Sequence, residues 1–178
     1  MEPLTVVFIC AGLIGLYALR TRVGIPSSHS ILPFQGGLLY RRGRPVREVG
    51  PGRHRVFVGR EKIIFLDKRP MQVNVERRGV TLADGATAVY GFTASAEVRD
   101  VRKALYSSAN YTQLPGFVTL CVTRTVLNRS QSSQIRYAQP ALTEEIVNAC
   151  RSRLAEAGFE LLSFRFSHLV VAAPPPAI

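Results

Sequence analysis

The chain has 178 residues, about one domain's worth, with Lys plus Arg at 23 against Asp plus Glu at 12 and a formal net charge of +11. At 47% hydrophobic residues and a mean hydropathy of +0.11 it is too apolar to be a disordered basic tail. Its 14 Gly and 11 Pro fall without a period, which excludes collagen and argues against a small solenoid.

Residues 4–19 read LTVVFICAGLIGLYAL without a charge, with Glu2 before them and Arg20 and Arg22 after. As a helix the stretch spans roughly 24 Å against a hydrocarbon core of about 30 Å, short but adequate where flanking side chains snorkel. A cleaved signal peptide wants a basic segment first, where the only charged side chain is Glu2. A lipoprotein signal wants small residues before Cys10, where Phe8 and Ile9 stand, and a helix of a soluble core would be apolar on all faces. The sequence therefore predicts an uncleaved transmembrane anchor over residues 1–20, carried by Leu4, Val6, Val7, Phe8, Ile9, Leu13, Ile14, Leu16 and Leu19. Arg20, Arg22, Arg41, Arg42 and Arg44 follow the span and no basic side chain precedes it. The positive-inside rule then predicts a single-pass protein with its N-terminus outside and the following domain in the cytoplasm. Cys10, Cys121 and Cys150 agree with a reducing compartment, being odd in number and too far apart for a disulfide framework or CxxC metal spacing. The sequons at Asn110 and Asn128 read as chance.

Residues 21–35, with two Pro, three Ser and no period, read as a juxtamembrane linker, followed by one domain over 36–173 and a Pro-rich terminus at 174–178. Short strands are predicted at 37–42, 46–49 and 53–58, separated by turn signals at Gly43-Arg44-Pro45 and Gly50-Pro51-Gly52, and a turn at Gly59 leads into Ile63-Ile64-Phe65-Leu66. Met71, Val73 and Val75 then alternate with polar residues, Asp84-Gly85 supplies a hairpin turn, and Tyr90, Phe92, Ala94, Ala96 and Val98 form one face of a second long strand. Beyond it the period changes. Residues 100–107 suit a short capped helix, and Leu142, Ile146, Ala149, Cys150, Leu154 and Ala157 fall on one helical stripe closed by Gly158. Between them, Val118, Leu120, Val122 and Val126 alternate as a strand would, and residues 159–171 form a final apolar strand.

Several motifs in this order resemble the SPFH, or band 7, superfamily of stomatin, prohibitin and flotillin. They are Gly37-Leu38-Leu39-Tyr40-Arg41-Arg42-Gly43-Arg44, the Val49-Gly50-Pro51-Gly52 loop, Leu66-Asp67-Lys68-Arg69 before the alternating strand, and Val80-Thr81-Leu82-Ala83-Asp84-Gly85 before the second. The resemblance covers residues 36 to about 171. It implies an α+β domain, mostly antiparallel sheet plus helices, preceded by one N-terminal transmembrane helix, and it implies that residues 114–128 are helical against their alternation. Two departures stand out. Relatives continue into a long charged helical region that builds rings or cages, whereas this sequence stops at Ile178, and the stretch Ile135-Arg136-Tyr137-Ala138-Gln139-Pro140 holds no acid before Glu144.

No constellation for catalysis is visible. His29, His54 and His168 lack metal-ligand spacing, Glu144-Glu145 reads as the opening of a helix, and Asp67, Asp84 and Asp100 each sit beside a turn or cap. Gly50-Pro51-Gly52 lacks the Lys-Ser/Thr of a phosphate loop, and no cofactor is implied. The remaining electrostatic feature is the run Arg41, Arg42, Arg44, Arg47, Arg53, Arg55 and Arg60, opposed within it only by Glu48. Two readings stay open: contact with lipid head groups, worth about 1 kcal/mol per residue near anionic lipid, or a solvated arginine-rich face. Nucleic acid is not expected, since no RNP, KH or helix-turn-helix pattern accompanies the arginines. The resemblance implies a non-enzymatic, membrane-anchored scaffold that forms a homo-oligomer, contacts membrane lipids and organises a membrane microdomain or holds a membrane protease or other membrane protein. The alternative is a monomeric membrane-tethered adaptor for one protein partner.

Overall fold

Glycine-bearing turns cut the first part of the chain into short strands. In the computed structural model, which describes residues 25–172, these are β1 (Ile25–Ile31), β2 (Gln35–Arg41), β3 (Arg44–Val49), β4 (Gly52–Val58) and β5 (Glu61–Asp67). β1 pairs antiparallel with β4, and β2 lies between β3 and β5 in a second antiparallel sheet. Ile31, Leu39, Val49 and Val56 form their common buried cluster, with Ile63 packed against it. The cluster needs a glycine: a Cβ built at Gly37 would lie 3.1 Å from each of Ile31 Cδ1, Ile63 Cγ2 and Val49 Cγ2.

The second part alternates two long strands and then helices. β6 (Met71–Thr81), β7 (Thr87–Val98) and β8 (Phe159–Ala172) form an antiparallel sheet with β7 in the middle. Its predicted alternation holds: Ala88, Tyr90, Phe92, Ala94, Ala96 and Val98 are buried, as one covered face requires. The helices α1 (Val101–Ser107), α2 (Leu114–Arg129), α3 (Ser132–Tyr137) and α4 (Gln139–Glu156) lie between β7 and β8 in sequence. α4 buries the predicted stripe of Leu142, Ile146, Cys150 and Leu154. The Asp100 carboxylate caps α1 by accepting from Lys103 N at 2.9 Å. Gly158, at φ +84°, follows α4, and its carbonyl accepts from Arg99 N and Asp100 N, both at 3.0 Å. A Cβ there would stand 2.6 Å from Asp100 O, so only glycine closes this junction.

Four expectations change. The presumed linker over 21–35 contains β1, an edge strand in which Pro26 removes no ladder bond that an inner strand would need and serines replace the expected apolar alternation. The predicted domain is subdivided into two compact units, one ending at Asp67 and the other beginning at Lys68. Glu144 and Glu145 do not open their helix, because α4 starts at Gln139 with Pro140 in its first turn. A further short helix, α3, occupies residues to which the sequence assigned none. By contrast, α2 is helical as the resemblance implied. Thr119 Oγ1 donates to Pro115 O at 2.7 Å and Thr125 Oγ1 to Cys121 O at 2.8 Å, so these two threonines of the strand-like run are satisfied by the helix backbone. The nine apolar residues of the expected anchor lie outside the described residues; among those described, no helix is long and apolar enough to cross a membrane.

Candidate functional site

The seven arginines of the sequence run are exposed except Arg60, which is half-buried, and the fold divides them. Arg42 and Gly43 form the two-residue turn between β2 and β3, both at positive φ, 50° and 78°. This is the backbone that suits the right-handed twist of a hairpin, and it ordinarily selects Asn or Gly at its first position. Arg42 is the one non-glycine residue at positive φ among the described residues. Gly59 and Arg60 make the turn between β4 and β5, where Arg60 N donates to Phe57 O at 3.1 Å. The two turns are tied together, since Arg42 N donates to Arg60 O at 2.8 Å.

Beneath them lies Glu61, whose side chain is 5% exposed. Its Oε1 accepts from Arg41 Nε at 2.8 Å and Nη2 at 2.7 Å, and its Oε2 accepts from Phe57 N at 3.1 Å. The Phe57 N–H, then the Arg41 guanidinium, hold its carboxyl below the usual carboxylate range. Arg41, Arg42, Phe57, Arg60 and Glu61 line a depression of about 360 Å³, and a neighbouring one of about 490 Å³ adds Lys62. Arg44 flanks the same turn as the register partner of Arg41. Arg53 and Arg55 stand elsewhere, on the exposed face of the β1–β4 ribbon opposite Ser30 and Ser28, where Arg53 Nη2 donates to Ser28 Oγ at 3.0 Å. One block in sequence is thus a cluster at the turns and a second group along a ribbon.

Two features escaped the sequence. His29 and His54 are register partners across β1 and β4, although His54 Nε2 already meets Gly50 O at 2.8 Å, and the described residues hold no group of three or more His, Cys, Asp or Glu able to bind a metal. The second is a groove of about 740 Å³ between α2 and α4, whose lining includes Phe117, Val118, Cys121, Val122 and Ala149 together with Arg129, Glu145, Arg153 and Glu156. The sequence signal for it was an α2 apolar on two sides, with Val118, Val122 and Val126 off the face that buries Thr119, Thr123 and Leu127. Cys121 is exposed in this groove, whereas burial pushes the Cys150 thiol up to about 11 and leaves it inert.

Compared with known families, the chain matches the model of the SPFH domain / Band 7 family over residues 29–173. No curated protein matches it.

Proposed function

The chain belongs to the SPFH domain / Band 7 family, whose members are in general membrane-associated proteins of scaffold type, and from that premise we propose that it is a membrane-anchored scaffold. In this reading it self-associates, organises a patch of membrane, and holds or restrains a membrane protease or another membrane protein. The observation that carries it is the family match beginning at residue 29, separated by nine residues from the uncharged apolar stretch of residues 4–19. Function then means positioning: the anchor fixes depth, the cytoplasmic domain stays at the membrane surface, and basic side chains meet anionic head groups there.

The test is crosslinking of the full-length protein in intact membranes, followed by detergent solubilisation and light scattering, with alkaline extraction of the same membranes. A discrete large oligomer in the carbonate-resistant fraction is the expected result. Release by carbonate removes the anchor from the reading. A monomer, or a crosslink to one other protein, replaces the scaffold with an adaptor, for which the groove between α2 and α4 is the surface to probe first.

A further inference from the structure

Strand register says which end of the N-terminal unit meets the incoming chain. β1 begins at Ile25, whose partner is Val58 at the end of β4, next to the turn of Gly59 and Arg60. Only residues 20–24 separate the apolar stretch from β1, a span of at most about 20 Å when fully extended. The other end of β4, at Gly52, is about 20 Å further along the strand, and Arg53 and Arg55 lie about 16 Å and 10 Å beyond Val58. Those two distances exceed the screening length of about 8 Å at physiological salt.

Three features meet at the near end. Phe57 and Val58, 45% and 52% exposed, are apolar residues at the end of a strand where solvent would favour polar ones. Phe57 shares a depression with Arg41, Arg42 and Arg60, Lys62 lines the adjoining one, and the acid among them, Glu61, lies beneath with its carboxylate occupied by Arg41 and the Phe57 N–H. Arg42 occupies a left-handed backbone position that Asn or Gly would fill with less strain, and its own N–H locks the two turns to each other. An exposed aromatic ring beside three arginines, with an exposed valine next to it at the strand end, matches a membrane interface, where the ring enters the head-group boundary and guanidinium groups bind phosphate.

We propose that the paired β2–β3 and β4–β5 turns are the end of the N-terminal unit that rests on the bilayer, with Arg41, Arg42 and Arg60 seating the phosphate of an anionic phospholipid and Phe57 and Val58 entering the interface. This rests on the membrane-anchored reading above and sharpens it: Arg53 and Arg55 take no part.

The chain contains no tryptophan, so one introduced residue reports its own depth. Full-length Val58→Trp, Pro51→Trp and Leu13→Trp variants are reconstituted into vesicles of brominated phosphatidylcholine with phosphatidylserine. Leu13→Trp reads the anchor alone. The expected result is quenching and a blue shift at positions 13 and 58 but not at 51, on the loop at the far end of β4. Phe57→Trp repeats the measurement should Val58→Trp fail to fold. Adding Arg42→Ser with Arg60→Ser should shift the seated-to-lifted balance about twenty-five-fold, at about fivefold per arginine near anionic lipid, and adding Arg53→Ser with Arg55→Ser should leave it unchanged. Quenching at 13 with none at 57 or 58 overturns the proposal and spares the anchor. Quenching at 58 that survives loss of both turn arginines overturns the phosphate seat, and absence of quenching at 13 overturns the anchored reading together with the proposal.

Discussion

The two units divide their labour by what they bury. From residue 25 to Asp67 the chain holds 8 basic against 3 acidic side chains, and from Lys68 to residue 172 it holds 13 against 8, so the same excess sits on a much shorter stretch in the first unit. That unit closes a small aliphatic cluster and places its arginines on turns and on a ribbon edge. The second buries the aromatic rings of Tyr90, Phe92 and Phe159, together with Leu127, Ile146 and Leu154, between a sheet and helices. Phe92 meets Phe164 at 5.1 Å, which in turn meets Phe166 edge-on at 5.1 Å. The difference teaches that charge display and core stability are carried by separate residues, so each can be perturbed without the other.

Phe92→Ala should do the greatest damage, about 3–5 kcal/mol, because the ring is fully buried and leaves a cavity in the sheet face. Hydrogen exchange should rise across β6 to β8 and stay unchanged in β1 to β5; equal losses in both would break the division. Gly37→Ala is the reciprocal change, expected to cost about 1–3 kcal/mol since three branched side chains must retreat from the new methyl. Here exchange should rise in β1 to β5, and an undiminished melting temperature would show that the small cluster has slack.

A smaller effect comes from Asp84. Its Oδ2 accepts from Ser132 N at 2.8 Å, joining the β6–β7 turn to the start of α3, and bonds to Ser132 hold its pKa below the ordinary carboxylate value. A depressed carboxylate stabilises fully above its unfolded pKa, and that contribution disappears as pH falls through the lower folded value. Asp84→Asn should therefore lower stability at neutral pH and match the parent in strong acid, as read by denaturation at a series of pH values; an equal loss at every pH would mean that charge is irrelevant at this site. The smallest change has the opposite sign. Arg42→Asn should stabilise by up to about 1 kcal/mol by relieving the left-handed backbone, while weakening contact with anionic vesicles. Gain of stability with undiminished lipid contact would leave the arginine there without a reason.

Legibility followed the presence of a single buried face. β6, β7 and α4 were readable because apolar residues recur at period two or along one helical stripe, and Asp100, Asp84-Gly85 and Gly158 were readable because caps and turns demand those residue types. β1 was not, since a two-stranded ribbon exposed on one face needs few apolar residues and tolerates Pro26. α3 escaped although its signal was present: Gln131 N donates to Gln134 Oε1 at 2.9 Å, a capping box written with glutamines. α2 was recovered only from the family resemblance. The arginines were visible as a block, but their sorting was not, because Arg42 and Arg60 meet through a backbone bond between turns that lie far apart in the sequence.

The pairing of β7 with β8 also sets a schedule for synthesis. Val98 lies opposite Phe159 and Thr87 opposite Ala172, so β7 hydrogen-bonds early to β6 along one side while its other side waits for a strand that is still unmade. At a translation rate of about 5–20 residues per second, the roughly 60 residues between those strands take several seconds to emerge. During that interval an apolar, alternating strand is left with an open edge, the geometry that recruits other chains. The nascent protein is therefore most exposed to aggregation after β7 has appeared and before its last strand has, and stalling or truncation within α4 should yield insoluble chains where truncation before β6 does not.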